Sequence, residues 1–227
     1  KASFKDQAII FSRKHNWIMC ILYLGTFGSF IGFAAGFPLL TKSQFPEIDP
    51  VKYAFLGPLV GALVRPLGGW VSDKIKSGAL ITQLVFAGMI VAVIGVISFL
   101  PSDGQGGNFW GFFACFIALF ALTGLGNGST FMQVPVIFLN MHQKFAQQGL
   151  VSEEQARLDA TKEGAAVIGF TAAFAAYGGF FIPKSYGTSI DLTGSVNAAL
   201  IGFILFYVLC LALNWWYYAR KNAEAKC

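Results

Sequence analysis

Residues Phe55 to Lys74 read FLGPLVGALVRPLGGWVSDK, an apolar run of membrane length with one charge, Arg65, in its interior. A helix needs about 20 such residues to cross a bilayer. Gly57, Gly61, Arg65, Gly69 and Asp73 recur at every fourth position, which on a helix sets them along one slowly drifting stripe. The glycines of that stripe let a neighbouring helix or a solute come close. A guanidinium stays charged, and placing it in hydrocarbon costs about 2.5–3.5 kcal/mol on insertion scales. It is tolerated best where it faces a wet cavity. Measured from Val51, where the apolar span begins, Arg65 lies roughly 20 Å along the helix at 1.5 Å per residue, too deep to reach back to that membrane face.

The rest of the chain has the same character. Of its 227 residues 56% are hydrophobic and 12% charged, with 24 Phe and 26 Gly. A soluble domain carries roughly 25% charged residues, so this composition reads as an integral membrane protein. Six spans are expected, at about 17–40, 51–71, 78–100, 109–138, 164–183 and 194–218, giving an all-α bundle of transmembrane helices over residues 17–218. Residues 1–16 form a polar, basic lead-in and 219–227 a tail. Short loops are expected at Thr41–Pro50, Ser72–Ser77, the Gly-rich turn Pro101–Asn108 and Lys184–Thr193, and one long polar loop, partly helical, at 140–163. The sixth span ends in Trp215, Trp216, Tyr217 and Tyr218, then Arg220 and Lys221, an interfacial belt followed by a basic anchor.

Basic residues set the orientation. With the N-terminus inside, the inner segments hold Lys1, Lys5, Arg13, Lys14, Lys74, Lys76, Lys144, Arg157, Lys162, Arg220, Lys221 and Lys226, against Lys42, Lys52 and Lys184 outside. The positive-inside rule then places both ends in the cytoplasm. The formal net charge of +5 sits between apolar runs, so it is no sign of nucleic-acid binding. Cys20, Cys115, Cys210 and Cys227 lack metal or redox spacing and read as small hydrophobes. No metal or cofactor is expected. His15 and His142 fall in the inner segments and read as solvated. No nucleophile–base pair occupies a pocket-like position, which argues against an enzyme. The chain begins with Lys1, not Met, so a preceding segment is expected.

Arg65 has two readings: it bonds backbone carbonyls or reaches inward, or it binds an anion. No Asp or Glu occurs within the six expected spans, so no buried carboxylate is offered to it. In the second reading the missing counter-ion is the solute, and the planar fork of donors suits a planar oxyanion. Tyr23 and Phe27, four apart in the first span, share a helix face with either plain aromatic packing or a pocket wall as their role; as a wall, the phenol would donate to an anion and the ring edge offer positive potential. The fourth span reads GLGNGSTFMQVP from Gly124. Its glycines each cost about 1 kcal/mol against Ala in a helix, so they mark close packing or a bend, with Asn127 or Ser129 beside a substrate as the alternative. Gly169, Gly178, Gly179 and Pro183 in GFTAAFAAYGGFFIP leave the fifth span free either to bend or to pack closely. Asp73, Lys74 and Lys76 are either a solvated turn or a latch between helices.

GGWVSDKIKSG resembles the cytoplasmic loop motif of the major facilitator superfamily, Gly-x-x-x-Asp-Lys/Arg, here Gly69 with Asp73 and Lys74. YLGTFGSFIGFAAGF from Tyr23, GPLVGALVRPLGGWVSDK from Gly57, GLGNGSTF, and GFTAAFAAYGGFFIPKSYG from Gly169 narrow the resemblance to the C-terminal six-helix half of the bacterial nitrate/nitrite porters. That resemblance implies one half of a twelve-helix fold, with the site between the halves near the midplane, in a bacterial inner membrane. It implies that Arg65 is the substrate arginine of this half and that its counterpart lies in the absent N-terminal half. Tyr23 and Phe27 would line the site, Gly169, Gly178 and Gly179 would belong to the glycine-rich nitrate signature, and Gly69, Asp73 and Lys74 would form a conformational latch. Ala175 stands where many relatives carry a further glycine. The expected function is nitrate or nitrite transport by alternating access. The absence of carboxylates in the spans leans towards anion exchange. The rivals are a carrier for another small anion and a non-transporting six-span subunit or channel.

Overall fold

The computed structural model describes residues 8–101 and 106–227. Lys1 and Lys5 of the lead-in, and part of the turn expected at 101–108, lie outside the described residues. Six helices are long and apolar enough to cross a membrane. They are α1 (Lys14–Gln44), α2 (Leu56–Ile75, preceded by a 3₁₀ turn Pro50–Lys52), α3 (Gly78–Phe99), α4 (Phe109–Gln147), α5 (Glu153–Thr193) and α6 (Asn197–Ala219). No strand occurs among the described residues. The chain is thus an all-α six-helix bundle.

Local chemistry accounts for the helix ends. The Ser77, Asn108 and Ser152 side chains accept from the first turns of α3, α4 and α5, satisfying amides that a helix start leaves unpaired. α2 stops at Lys76, whose φ of 56° turns the chain left-handed. Aromatic packing joins α1 to α4: Phe33 and Phe37 meet Phe116 at centroid distances of 5.7 and 5.3 Å, edge to face, the arrangement that ring quadrupoles favour.

The glycines of α2 and α4 form a seam. A Cβ at Gly124 would overlap the Gly61 carbonyl, one at Gly68 the Leu125 carbonyl, and one at Gly128 the Arg65 carbonyl. Backbone thus packs on backbone, as in small-residue helix contacts within membranes. The Gly69 position is looser, with Met132 as its nearest neighbour at 3.6 Å. Gly68, off the every-fourth-residue stripe, is the tighter contact.

Two helices are irregular at one level. α1 carries a π turn at Leu24–Gly28, and α5 is interrupted at Tyr177, between Glu153–Ala176 and Gly178–Thr193. The irregularities touch, since a Cβ at Gly178 would overlap the Gly28 backbone. Ala175 is fully buried, with its carbonyl against Gly28.

The structure corrects three expectations. Residues 140–163 are not mainly loop: α4 runs on to Gln147 and α5 starts at Glu153, because the polar stretch is rich in helix formers and its Ala156 and Ala160 are buried. Residues 184–193 are helical as well. His15 and His142 are not solvated; each is 4% exposed. His15 Nδ1 is 3.0 Å from the Tyr218 hydroxyl of α6, and His142 Nε2 is 3.3 Å from Glu163 Oε1. Polar residues beyond an apolar run are still packed when the helices continue past it.

Candidate anion site

Arg65 is exposed on the surface of the bundle, at the tenth position of the twenty-residue α2. Its backbone is pinned by the α4 seam through Gly128, and its side chain turns towards α1. There Arg65 Nη2 donates to the Tyr23 hydroxyl at 3.5 Å, a long bond, and its guanidinium carbon lies 5.7 Å from the centre of the Phe27 ring. Tyr23 and Phe27 stack with centroids 5.3 Å apart, Tyr23 immediately before the π turn and Phe27 within it. The two aromatic rings and the arginine therefore sit together, with Arg65 exposed, Phe27 half-buried and Tyr23 buried.

Tyr23 is 5% exposed and donates its hydroxyl proton to Asn127 Oδ1 at 2.7 Å. In this conformation the phenol proton is committed to α4, and the phenol oxygen accepts from Arg65. The expectation of a phenol donating to an anion is not met in this state. Asn127 is 2% exposed and lies behind Tyr23, so its reach to the patch runs through the phenol. Ser129 is fully buried and bonded to Thr82 at 2.8 Å and to the Gly126 carbonyl.

The fifth-span glycines behave differently from one another. Gly178 abuts Gly28, the residue after Phe27, and Gly179 abuts Ile31. Both serve the contact of α5 with α1. Gly169 is exposed, with nothing within 4 Å of where a Cβ would stand. In the α2 terminus, Lys74 Nζ lies 5.0 Å over the exposed Trp70 ring. Asp73 is exposed and makes no ion pair among the described residues.

Sequence reasoning missed the hydroxyl network behind the patch. Thr26 and Thr130 meet at 3.1 Å, and Gln133 Nε2 donates to Thr82 at 2.6 Å. Lone threonines in the apolar runs of α1 and α3, facing the polar run of α4, were its only signal. Among the described residues no three His, Cys, Asp or Glu side chains gather as for a metal ion.

Arg65 is thus an exposed arginine beside two aromatic rings, halfway along an apolar helix. No family model matches the chain. It is 43% identical over 227 residues to the nitrate/nitrite transporter NarU of Escherichia coli, covering 100% of this chain and 48% of the relative. It is 44% identical over 225 residues to the NarU of Salmonella typhimurium, covering 99% of this chain and 48% of that relative. Over its whole length the chain is similar to one half of these nitrate/nitrite transporters. A probable nitrate/nitrite antiporter, NarK2 of Thermus thermophilus, is 37% identical over 231 residues, with 100% of this chain and 47% of the relative covered. These relatives are named as transporters or as an antiporter. The chain spans about half the length of the curated relatives it matches.

Proposed function

We propose that this chain is the C-terminal half of a twelve-helix carrier that moves nitrate or nitrite across the bacterial inner membrane, with both ends of the segment cytoplasmic. One observation carries the reading: Arg65 lies exposed at the middle of a membrane-length helix, on a face with Tyr23 and Phe27. An uncovered guanidinium there would face hydrocarbon, at the cost already given. A second six-helix half covering the patch removes that cost and encloses a cavity whose one fixed cation on this side is Arg65.

The mechanism follows from that enclosure. A planar oxyanion sits on the guanidinium fork, which matches two oxygens at once. Phe27 stacks beside it and Tyr23 holds the arginine. The two halves rock about the anion, and the touching irregularities of α1 and α5 supply the bending point. The exposed Asp73 and Lys74, with Gly69 at the α2–α4 contact, latch one end state against the absent half. Exchange is the favoured mode, because the sole buried carboxylate among the described residues, Glu163, is engaged by Arg13.

Uptake of labelled nitrate by the full-length protein in liposomes tests this. Exchange predicts uptake that depends on internal nitrite and survives collapse of the proton gradient. Uptake abolished with the gradient would point to proton symport instead. Counterflow with a saturating rate is expected; its absence would favour a channel. This half alone is expected not to transport.

A further inference from the structure

Arg13, Glu163 and His142 meet at the end of the bundle where both described termini lie. Arg13, the residue that precedes α1, donates from Nε to Glu163 Oε2 at 2.9 Å and from Nη2 to Oε1 at 2.8 Å. His142 of α4 brings Nε2 to 3.3 Å from the same Oε1, without a hydrogen-bonding alignment. The Arg13 guanidinium also lies 5.6 Å over the Phe145 ring of α4. Glu163 is 6% exposed. Three residues into α1, Asn16 is fully buried with neither amide atom hydrogen-bonded.

A buried ion pair is poor value as a stabiliser, because desolvation consumes most of its attraction and apolar packing does as well. Its use lies in fixing which elements sit together. Here it joins two segments that share a pivot. Residues 14–23 of α1 end at the π turn, and residues 153–176 of α5 end at the Tyr177 interruption. The pivot is the Gly28–Gly178 contact. The ion pair ties the start of the first segment to the middle of the second, well away from that contact. Two levers hinged at one point and tied again away from it move as one, and the first carries Tyr23. The unpaired atoms of Asn16 and His142 fit a cluster that rearranges, since buried polar atoms are costly unless another state satisfies them.

We propose that the bidentate Arg13–Glu163 pair, resting on His142, couples these two segments, so that both residues are positioning residues for transport. They set how fast the carrier changes conformation, and leave its affinity for the anion alone. This inference rests on the alternating-access reading above.

The test uses the full-length carrier. Glu163→Gln and Arg13→Ala are each expected to lower the maximal nitrate rate about five-fold or more, with KM changed less than about two-fold. The swap of Arg13→Glu with Glu163→Arg is expected to restore at least about half the rate. Single variants at the wild-type rate, or a KM that rises in step with the loss, would overturn the inference. A second measurement needs no transport. In detergent, amide hydrogen exchange of residues 14–23 and 153–176 is expected to match in the wild type and to diverge in Glu163→Gln; segments still matched in the variant would contradict it. A wild-type carrier that moves no nitrate would defeat the functional reading and leave the exchange comparison standing.

Discussion

The hydroxyl of Tyr23 donates to Asn127 at 2.7 Å while accepting from Arg65 at 3.5 Å. One phenol thus connects α1, α2 and α4, and Asn127 orients it. Tyr23→Phe removes the link and leaves the Asn127 oxygen buried without a partner, a cost of about 1–3 kcal/mol. Nitrate affinity is expected to fall about ten-fold, equivalent to about 1.4 kcal/mol. Asn127→Ala keeps the phenol and should weaken binding less than Tyr23→Phe. Calorimetric titration with nitrate checks the order, and a larger loss from Asn127→Ala would mean that Asn127 itself meets the anion.

The Gly128 seam holds the backbone of Arg65 in place. Gly128→Val puts side-chain atoms where the Arg65 carbonyl stands. Overpacking of this kind costs about 1–3 kcal/mol, and α2 must shift to relieve it. Thermal unfolding in detergent should show the loss of stability, and KM for nitrate should rise because the arginine moves with its helix. Unchanged KM in a destabilised variant would separate the seam from the site.

Gly178 and Gly169 make a contrasting pair. Gly178→Ala overlaps the Gly28 backbone and should lower both stability and rate. Gly169→Ala meets nothing in this half and should be stable, even by up to about 1 kcal/mol from helix propensity. If Gly169→Ala folds well but stops transport, the surface about Gly169 is in contact with the anion or with the other half.

Lys14 Nζ donates to Glu224 Oε2 at 2.6 Å, and the hydrogen bond from Lys14 lowers the Glu224 carboxyl below its ordinary value of 4.5. A lowered folded value stabilises the fold above the unfolded value, and that contribution is lost as pH falls through the folded one. Both side chains are about half exposed, at 56% and 45%, so the pair is worth less than about 1 kcal/mol. Glu224→Gln should therefore cost a few tenths of a kcal/mol at pH 7 and less at pH 3. Unfolding midpoints at the two pH values check this.

The number of helices was legible because a bilayer demands unbroken apolar runs of one length, and nothing else in the chain imitates them. Arg65 stood out for the same reason. Tyr23 and Phe27 shared a face by spacing, but their closeness to Arg65 depends on how α1 and α2 pack, which periodicity does not record. Gly68 was passed over for Gly69 because a four-residue repeat ignores the drift of a helix. Beyond the apolar runs the same reading fails: residues 140–147 and 153–163 are polar yet helical, and the Arg13–Glu163 pair closes over 150 positions. The proton acceptor of Tyr23 was visible only as one Asn among glycines.

The central claim is that Arg65 is the anion ligand, and Arg65→Lys in the full-length carrier tests it most directly. Lysine keeps the charge and loses the planar fork. The account predicts that nitrate binding and uptake collapse, by about ten-fold or more, while the protein inserts and unfolds as before. Wild-type binding and uptake by Arg65→Lys would contradict it, and would place the anion elsewhere than the patch of Arg65, Tyr23 and Phe27.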